Sequence, residues 1–125
     1  MKEPIWLELT VVLAIHDEQL AEHGGQPGVR DYAALDSALS RPKYRFAYGS
    51  KSLAELAASL AFGSSRNHPF IDGNKRTSLV VAELFLSLNG VEMSAIDADC
   101  VATFLALAAG ELSETQLAVW LERHS

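Results

Sequence analysis

Cysteine is nearly absent from this chain. The single Cys100 excludes an internal disulfide and any multi-cysteine zinc site. Long apolar runs are missing too, since none approaches the ~20 residues that span a bilayer. The stretch Val11–Ile15 is too short for a signal-peptide core and no cleavage site follows it, so a cytoplasmic protein is expected, with no membrane partner. Cations are few, ten against sixteen acids, for a net charge of −6. That balance argues against general nucleic-acid binding, which depends on neutralising phosphates. No repeat, low-complexity tract or long linker divides the sequence. What is present, 125 residues of which 49% are apolar, suits one domain over 1–125 with a core of its own.

The few cations are unevenly placed. Between Arg41 and Arg76 lie seven of them against two acids, Glu55 and Asp72, which makes that window +5. The remaining three cations and fourteen acids make the rest −11. A cationic centre in an acidic body fits a site for phosphate or another anion, and also an ordinary solvated basic face.

Periodicity and punctuation predict an all-α fold of about six helices. Leu9, Val12, Leu13, Ile15 and Leu20 form an apolar stripe closed by Gly24-Gly25. Asp31 is placed to cap a helix that stops before Pro42. Ser52 and Glu55 have capping-box spacing, as do Ser113 and Gln116, the first opening a helix to about Phe62. Asp97 is the expected cap of a helix ended by Gly110. From Asn74 to Leu88 the residues are apolar on nearly every side, which predicts a central buried helix stopped by Asn89-Gly90. Only 44–48 and 91–94 read as weakly strand-like.

Ahead of that helix stands Ser64-Ser65-Arg66-Asn67-His68-Pro69-Phe70-Ile71-Asp72-Gly73-Asn74-Lys75-Arg76-Thr77. A helix N-terminus offers unpaired N–H groups and a positive dipole end. Gly73 lets backbone approach a ligand closely. Lys75 and Arg76 put two cations where acids are the favoured residues, a mismatch that a phosphate would explain. Asp72 is a hard oxygen ligand suited to Mg²⁺ shared with nucleotide phosphates. Histidine is the side chain suited to take a proton from a hydroxyl near neutral pH, and His68 is the one in this stretch. Each residue has a plain structural reading as well: His68 as a loop histidine, Asp72 as an N-cap, Lys75 and Arg76 as solvated cations. The combination is far less common than its parts.

His68-Pro69-Phe70-Ile71-Asp72-Gly73-Asn74-Lys75-Arg76 resembles the signature of the Fic/Doc family, and the chain resembles its death-on-curing (Doc) branch in particular. Leu13-Ala14-Ile15-His16-Asp17, His23-Gly24-Gly25-Gln26-Pro27-Gly28 and Ala108-Ala109-Gly110-Glu111-Leu112-Ser113 extend the likeness over nearly the whole chain. The resemblance implies a helical bundle with His68 as general base and Asp72 as the Mg²⁺ ligand. It implies an anion hole at the amides of Gly73 and Asn74, with Arg76 and Arg66 facing the phosphates of ATP. Fic enzymes that transfer AMP carry a second glycine after the asparagine and a further arginine three residues past the first. Lys75 and Leu79 stand at those positions here, and Doc proteins share the lysine.

The expected activity is therefore a Doc-type toxin that transfers the γ-phosphate of ATP to a threonine of a translation factor, elongation factor Tu, and so arrests translation. Two other readings are AMP transfer of the Fic type and a non-catalytic nucleotide-sensing or corepressor role. The family's built-in inhibitory helix has no match in this sequence, which implies a separate antitoxin partner docking on an apolar groove. The segment 42–50 is either a flap that pairs with a target peptide as a strand or a basic, aromatic interhelical loop. His16 and Asp17 read as a structural pair, and Cys100 as a buried small residue.

Overall fold

The computed structural model describes residues 2–125. Six helices follow in order: α1 (Leu9–His23), α2 (Tyr32–Ala47), α3 (Leu53–Arg66), α4 (Asn74–Leu88), α5 (Asp97–Ala108) and α6 (Glu114–Arg123). Among the described residues the only β pairing is an isolated antiparallel bridge between Val29 and Phe70. The all-α expectation holds, and 91–94 forms no strand.

Side chains begin several of the helices. Asp31 accepts from the Ala34 N–H at 3.1 Å, and Ser113 and Gln116 complete a reciprocal capping box. At Ser52 only half of the box forms. Its hydroxyl accepts from the Glu55 N–H, while the Glu55 carboxylate is taken up by the Ser50 hydroxyl at 2.6 Å. Asp97 is not the cap of α5. Ile96 holds that position without a side-chain bond, and Asp97 and Asp99 lie inside the first turn, facing the positive dipole end.

Two expectations fail in α2. The helix does not stop before Pro42 but runs through it to Ala47, although a mid-helix proline removes a backbone bond and crowds the preceding turn. Distant contacts hold the second half in helical form. Arg41 donates through Nε to the Ser59 carbonyl at 3.3 Å and pairs with Glu114, which Arg45 also reaches at 2.8 Å. Pro42 itself is buried. Residues 42–47 are thus the end of a helix with Tyr48 as its cap, so 42–50 is neither the strand of a flap nor wholly an interhelical loop. It also stands beside the start of α3, whereas the His68 loop leaves the other end of that helix, about 20 Å away at 1.5 Å per residue.

The helix at the centre is α3, not α4. It packs against α2, α4, α5 and α6, and ten of its fourteen residues are buried. Small residues make this possible. A Cβ on Gly63 would stand 2.7 Å from Arg41 Cδ and 3.0 Å from Ala38 Cα, so α2 and α3 meet with almost no side chain between them. α4 lies against α3 with Val81, Ala82, Phe85 and Leu86 inward, while Glu83, Ser87 and Leu88 meet solvent. It continues α3's exit loop, so the two helices bring the motif to one end of the bundle, beside the end of α1.

Candidate active site

At that end a cleft of about 340 Å³ is lined by His68, Asp72, Gly73, Asn74, Lys75 and Arg76, with Ser65, Gln19 and His23 among the neighbours. Gly73 caps α4 in the left-handed region, φ 81°, without a side-chain bond. The first backbone bond onto the cap is donated by the Thr77 N–H to the Gly73 carbonyl at 3.0 Å. The amides of Asn74, Lys75 and Arg76 therefore have no partner among the described residues, which leaves three donors at a positive dipole end. Lys75 and Arg76 are exposed beside them.

Buried contacts hold the loop in this shape. The Asn74 side chain turns away from the cleft and grips Phe70: its Oδ1 accepts from the Phe70 N–H at 3.0 Å and its Nδ2 donates to the Phe70 carbonyl at 2.9 Å. Asn74 thus faces the cleft through its backbone. Phe70 is buried and lies flat on the His16 ring, centroids 3.8 Å apart. His16 is not paired with Asp17. It is 2% exposed, and its Nε2 hydrogen-bonds to the Asp72 carbonyl at 2.7 Å, which places it under the motif. The Asp72 carboxylate is exposed and accepts from the Gln26 N–H at 3.2 Å through Oδ2. A Cβ on Gly25 would crowd that same oxygen at 3.3 Å.

The cationic window divides into separate places. Lys75 and Arg76 line the cleft. Arg41 and Arg45 serve Glu114, and Lys51 lies over the Phe46 ring at 4.6 Å, all toward the far end of α2. Arg66 does not line the cleft. Its guanidinium rests 5.7 Å from the Phe62 ring centroid, one turn back on α3, and close to Gly110 in the α5–α6 connection, a cation–π contact that draws it aside.

The donor set fits an anion. Besides the three amides and two cations, the Ser65 hydroxyl is buried and without a partner among the described residues while lining the cleft. For a cation, no group of three or more His, Cys, Asp or Glu side chains comes together among the described residues. Asp72 is a lone carboxylate, the arrangement that suits Mg²⁺ held mainly by water and phosphate oxygens.

Three supports of this site carry no sign in the sequence. The Arg30 guanidinium donates to the carbonyls of His68 at 2.5 Å and Asn67 at 2.8 Å. The N–H groups of Arg30 and Asp31 both donate to the Pro69 carbonyl, and the Gln26 amide reaches Asp72. All come from the α1–α2 connection, dozens of residues away in sequence.

The Fic/DOC family model matches residues 6–86. The chain is 35% identical to "Protein kinase doc" of Escherichia phage P1 over 114 residues, 90% of this chain and 89% of that protein. It is 44% identical to "Toxin Doc" of Mycolicibacterium smegmatis over 75 residues, 58% of this chain and 57% of the other. With the motif loop, its helical setting and these relatives in agreement, the chain belongs to the Fic/Doc family, on its Doc branch.

Proposed function

We propose that this protein is a Doc-type toxin that transfers the γ-phosphate of ATP to a threonine hydroxyl of a translation factor, elongation factor Tu, and thereby halts translation in the cytoplasm. The observation that carries this reading is the row of three unpartnered amides at the start of α4, flanked by Lys75 and Arg76 and sharing one cleft with His68. The names of the phage and mycobacterial relatives, a protein kinase and a toxin, support it.

In this reading the amides from Gly73 onward, with Lys75 and Arg76, cradle the phosphates and neutralise charge that builds up on them. Asp72 holds Mg²⁺, which when bound draws charge from the phosphate oxygens. His68 accepts the proton of the target hydroxyl as its oxygen bonds to the γ-phosphorus, and the bond from that phosphorus to ADP breaks. Arg66, whose guanidinium lies beside Phe62 and Gly110, would turn toward the cleft to meet the phosphates. Lys75 favours phosphate over AMP transfer because its side chain occupies the first turn of α4, and Leu79, in the adjoining groove, supplies no second cation. That groove, lined by Lys75, Arg76, Leu79, Val101 and Leu105, suits an antitoxin segment that folds as it docks over the cleft.

The test is expression in bacteria with incorporation of labelled amino acid into protein as the readout. Arrest by the native chain and its loss in His68→Ala and Asp72→Ala at equal protein level is the expected outcome. Undiminished arrest by His68→Ala would favour the non-catalytic binding role.

A further inference from the structure

His68 carries an unusual backbone for its place in the chain. It is the one described non-glycine residue with positive φ, at 46°. Asn67 caps α3 in the right-handed region, so His68 occupies the position just beyond the cap, where a left-handed residue is most often glycine. Pro69 follows, and a residue before proline is pushed toward extended backbone. Both local preferences thus oppose the conformation that His68 adopts, and something outside the segment has to hold it.

The backbone N–H groups of Arg30 and Asp31 hold the Pro69 carbonyl, and the Arg30 side chain is the contact made to His68 and Asn67 themselves. Its Nε donates to the His68 carbonyl at 2.5 Å and its Nη2 to the Asn67 carbonyl at 2.8 Å, so one planar fork spans the right-handed and left-handed residues and fixes their carbonyls on the same side. Neither carbonyl has another partner among the described residues. Arg30 is not among the residues that line the cleft. We propose that Arg30 is a positioning residue for the transfer reaction: its guanidinium clamps the Asn67 and His68 carbonyls and so keeps the imidazole of His68 turned into the cleft. This rests on the reading of His68 as the base. Without the clamp His68 relaxes toward extended backbone and its ring leaves the cleft, while the amides of α4, Lys75 and Arg76 stay in place.

The experiment compares the native chain with Arg30→Ala and Arg30→Lys in two measurements. The first is NMR of His68, whose backbone couplings and carbon shifts report the sign of φ without any substrate. The second is steady-state transfer from γ-labelled ATP to purified elongation factor Tu. Arg30→Ala is expected to lose the left-handed signature of His68 and to lower kcat about tenfold or more, a part of what a displaced general base forfeits, with KM for ATP unchanged. Arg30→Lys offers a single point donor and falls between the two on both readouts. A left-handed His68 retained in Arg30→Ala, or kcat retained after it is lost, overturns the proposal. So does a rise in KM at constant kcat, which would make Arg30 a nucleotide contact. Where Arg30→Ala does not fold, Arg30→Lys decides by the same criteria. A native chain that transfers nothing to this factor would refute the kinase reading, and the NMR comparison would still decide what Arg30 holds.

Discussion

Replacing Asn74 by alanine should unfold the protein more readily, even though the residue sits in the signature of an anion site. Its two side-chain bonds, 3.0 Å from the Phe70 N–H and 2.9 Å to the Phe70 carbonyl, satisfy both backbone groups of a residue that is 1% exposed. Alanine leaves that donor and acceptor buried without partners, at about 1–3 kcal/mol each. Alanine's better helix propensity returns about 0.6 kcal/mol, so a net loss of about 1.5–5.5 kcal/mol is expected. For a chain of this size that is a fall in Tm of roughly 5–20 °C. Urea unfolding followed by circular dichroism measures the loss directly. Asn74→Asp keeps the acceptor for the Phe70 N–H and should retain part of the stability. A loss below about 0.5 kcal/mol, accompanied by weakened ATP binding, would refute the clamp and make Asn74 a direct phosphate ligand.

Other consequences follow from the same geometry. Lys75→Ala should raise the Kd for Mg²⁺-ATP about tenfold by isothermal titration calorimetry, since one charge-assisted contact is lost; unchanged affinity would remove Lys75 from the phosphate site. Gly63→Val places side chain where a Cβ alone would already be 3.0 Å from Ala38 Cα, and should cost about 1–3 kcal/mol in denaturant unfolding. Glu114→Ala removes the partner of Arg41 and Arg45. The arginines are partly exposed, so its effect should be about 1 kcal/mol, shrinking in high salt. Although Glu83 lies on the solvent side of α4, partial burial and then the neighbouring Asp97 push its carboxyl above the ordinary 4.5. A raised carboxyl favours the fold in its protonated form, so that contribution is present below pH 4.5 and is lost as pH rises through the higher folded value. Glu83→Gln should therefore be more stable than the native chain near neutral pH, with the difference closing as the solution is acidified.

The parts of this structure that were legible in the sequence are those set by neighbours along the chain. Asp31, Ser113 and Gln116 cap as their spacing predicts, and α4 begins after Gly73 and stops at Asn89 because those residues punctuate the backbone. The motif residues His68, Asp72, Gly73, Lys75 and Arg76 meet in one cleft because a single loop and helix start carry them all. What could not be read depends on contacts between distant residues. Pro42 looks like a helix stop until Arg41 and Arg45 find Glu114, about seventy residues on. The apolar run of α4 suggested the centre of the bundle, yet the small side chains of α3 let neighbours close around that helix instead. Arg30 reads as an ordinary surface cation, because its partners lie 37 and 38 residues away and are carbonyls that any residue would supply. The family resemblance turns Arg66 toward the phosphates, while here its guanidinium lies beside Phe62 and Gly110, contacts between residues that no local pattern announces.

The most direct test of the transfer reaction is the intact mass of elongation factor Tu after incubation with the purified protein, ATP and Mg²⁺. The account predicts the gain of one phosphate, abolished by His68→Ala and by omission of Mg²⁺. A gain of AMP would contradict the role given to Lys75, and an unchanged mass with a folded, ATP-binding protein would contradict the proposed target.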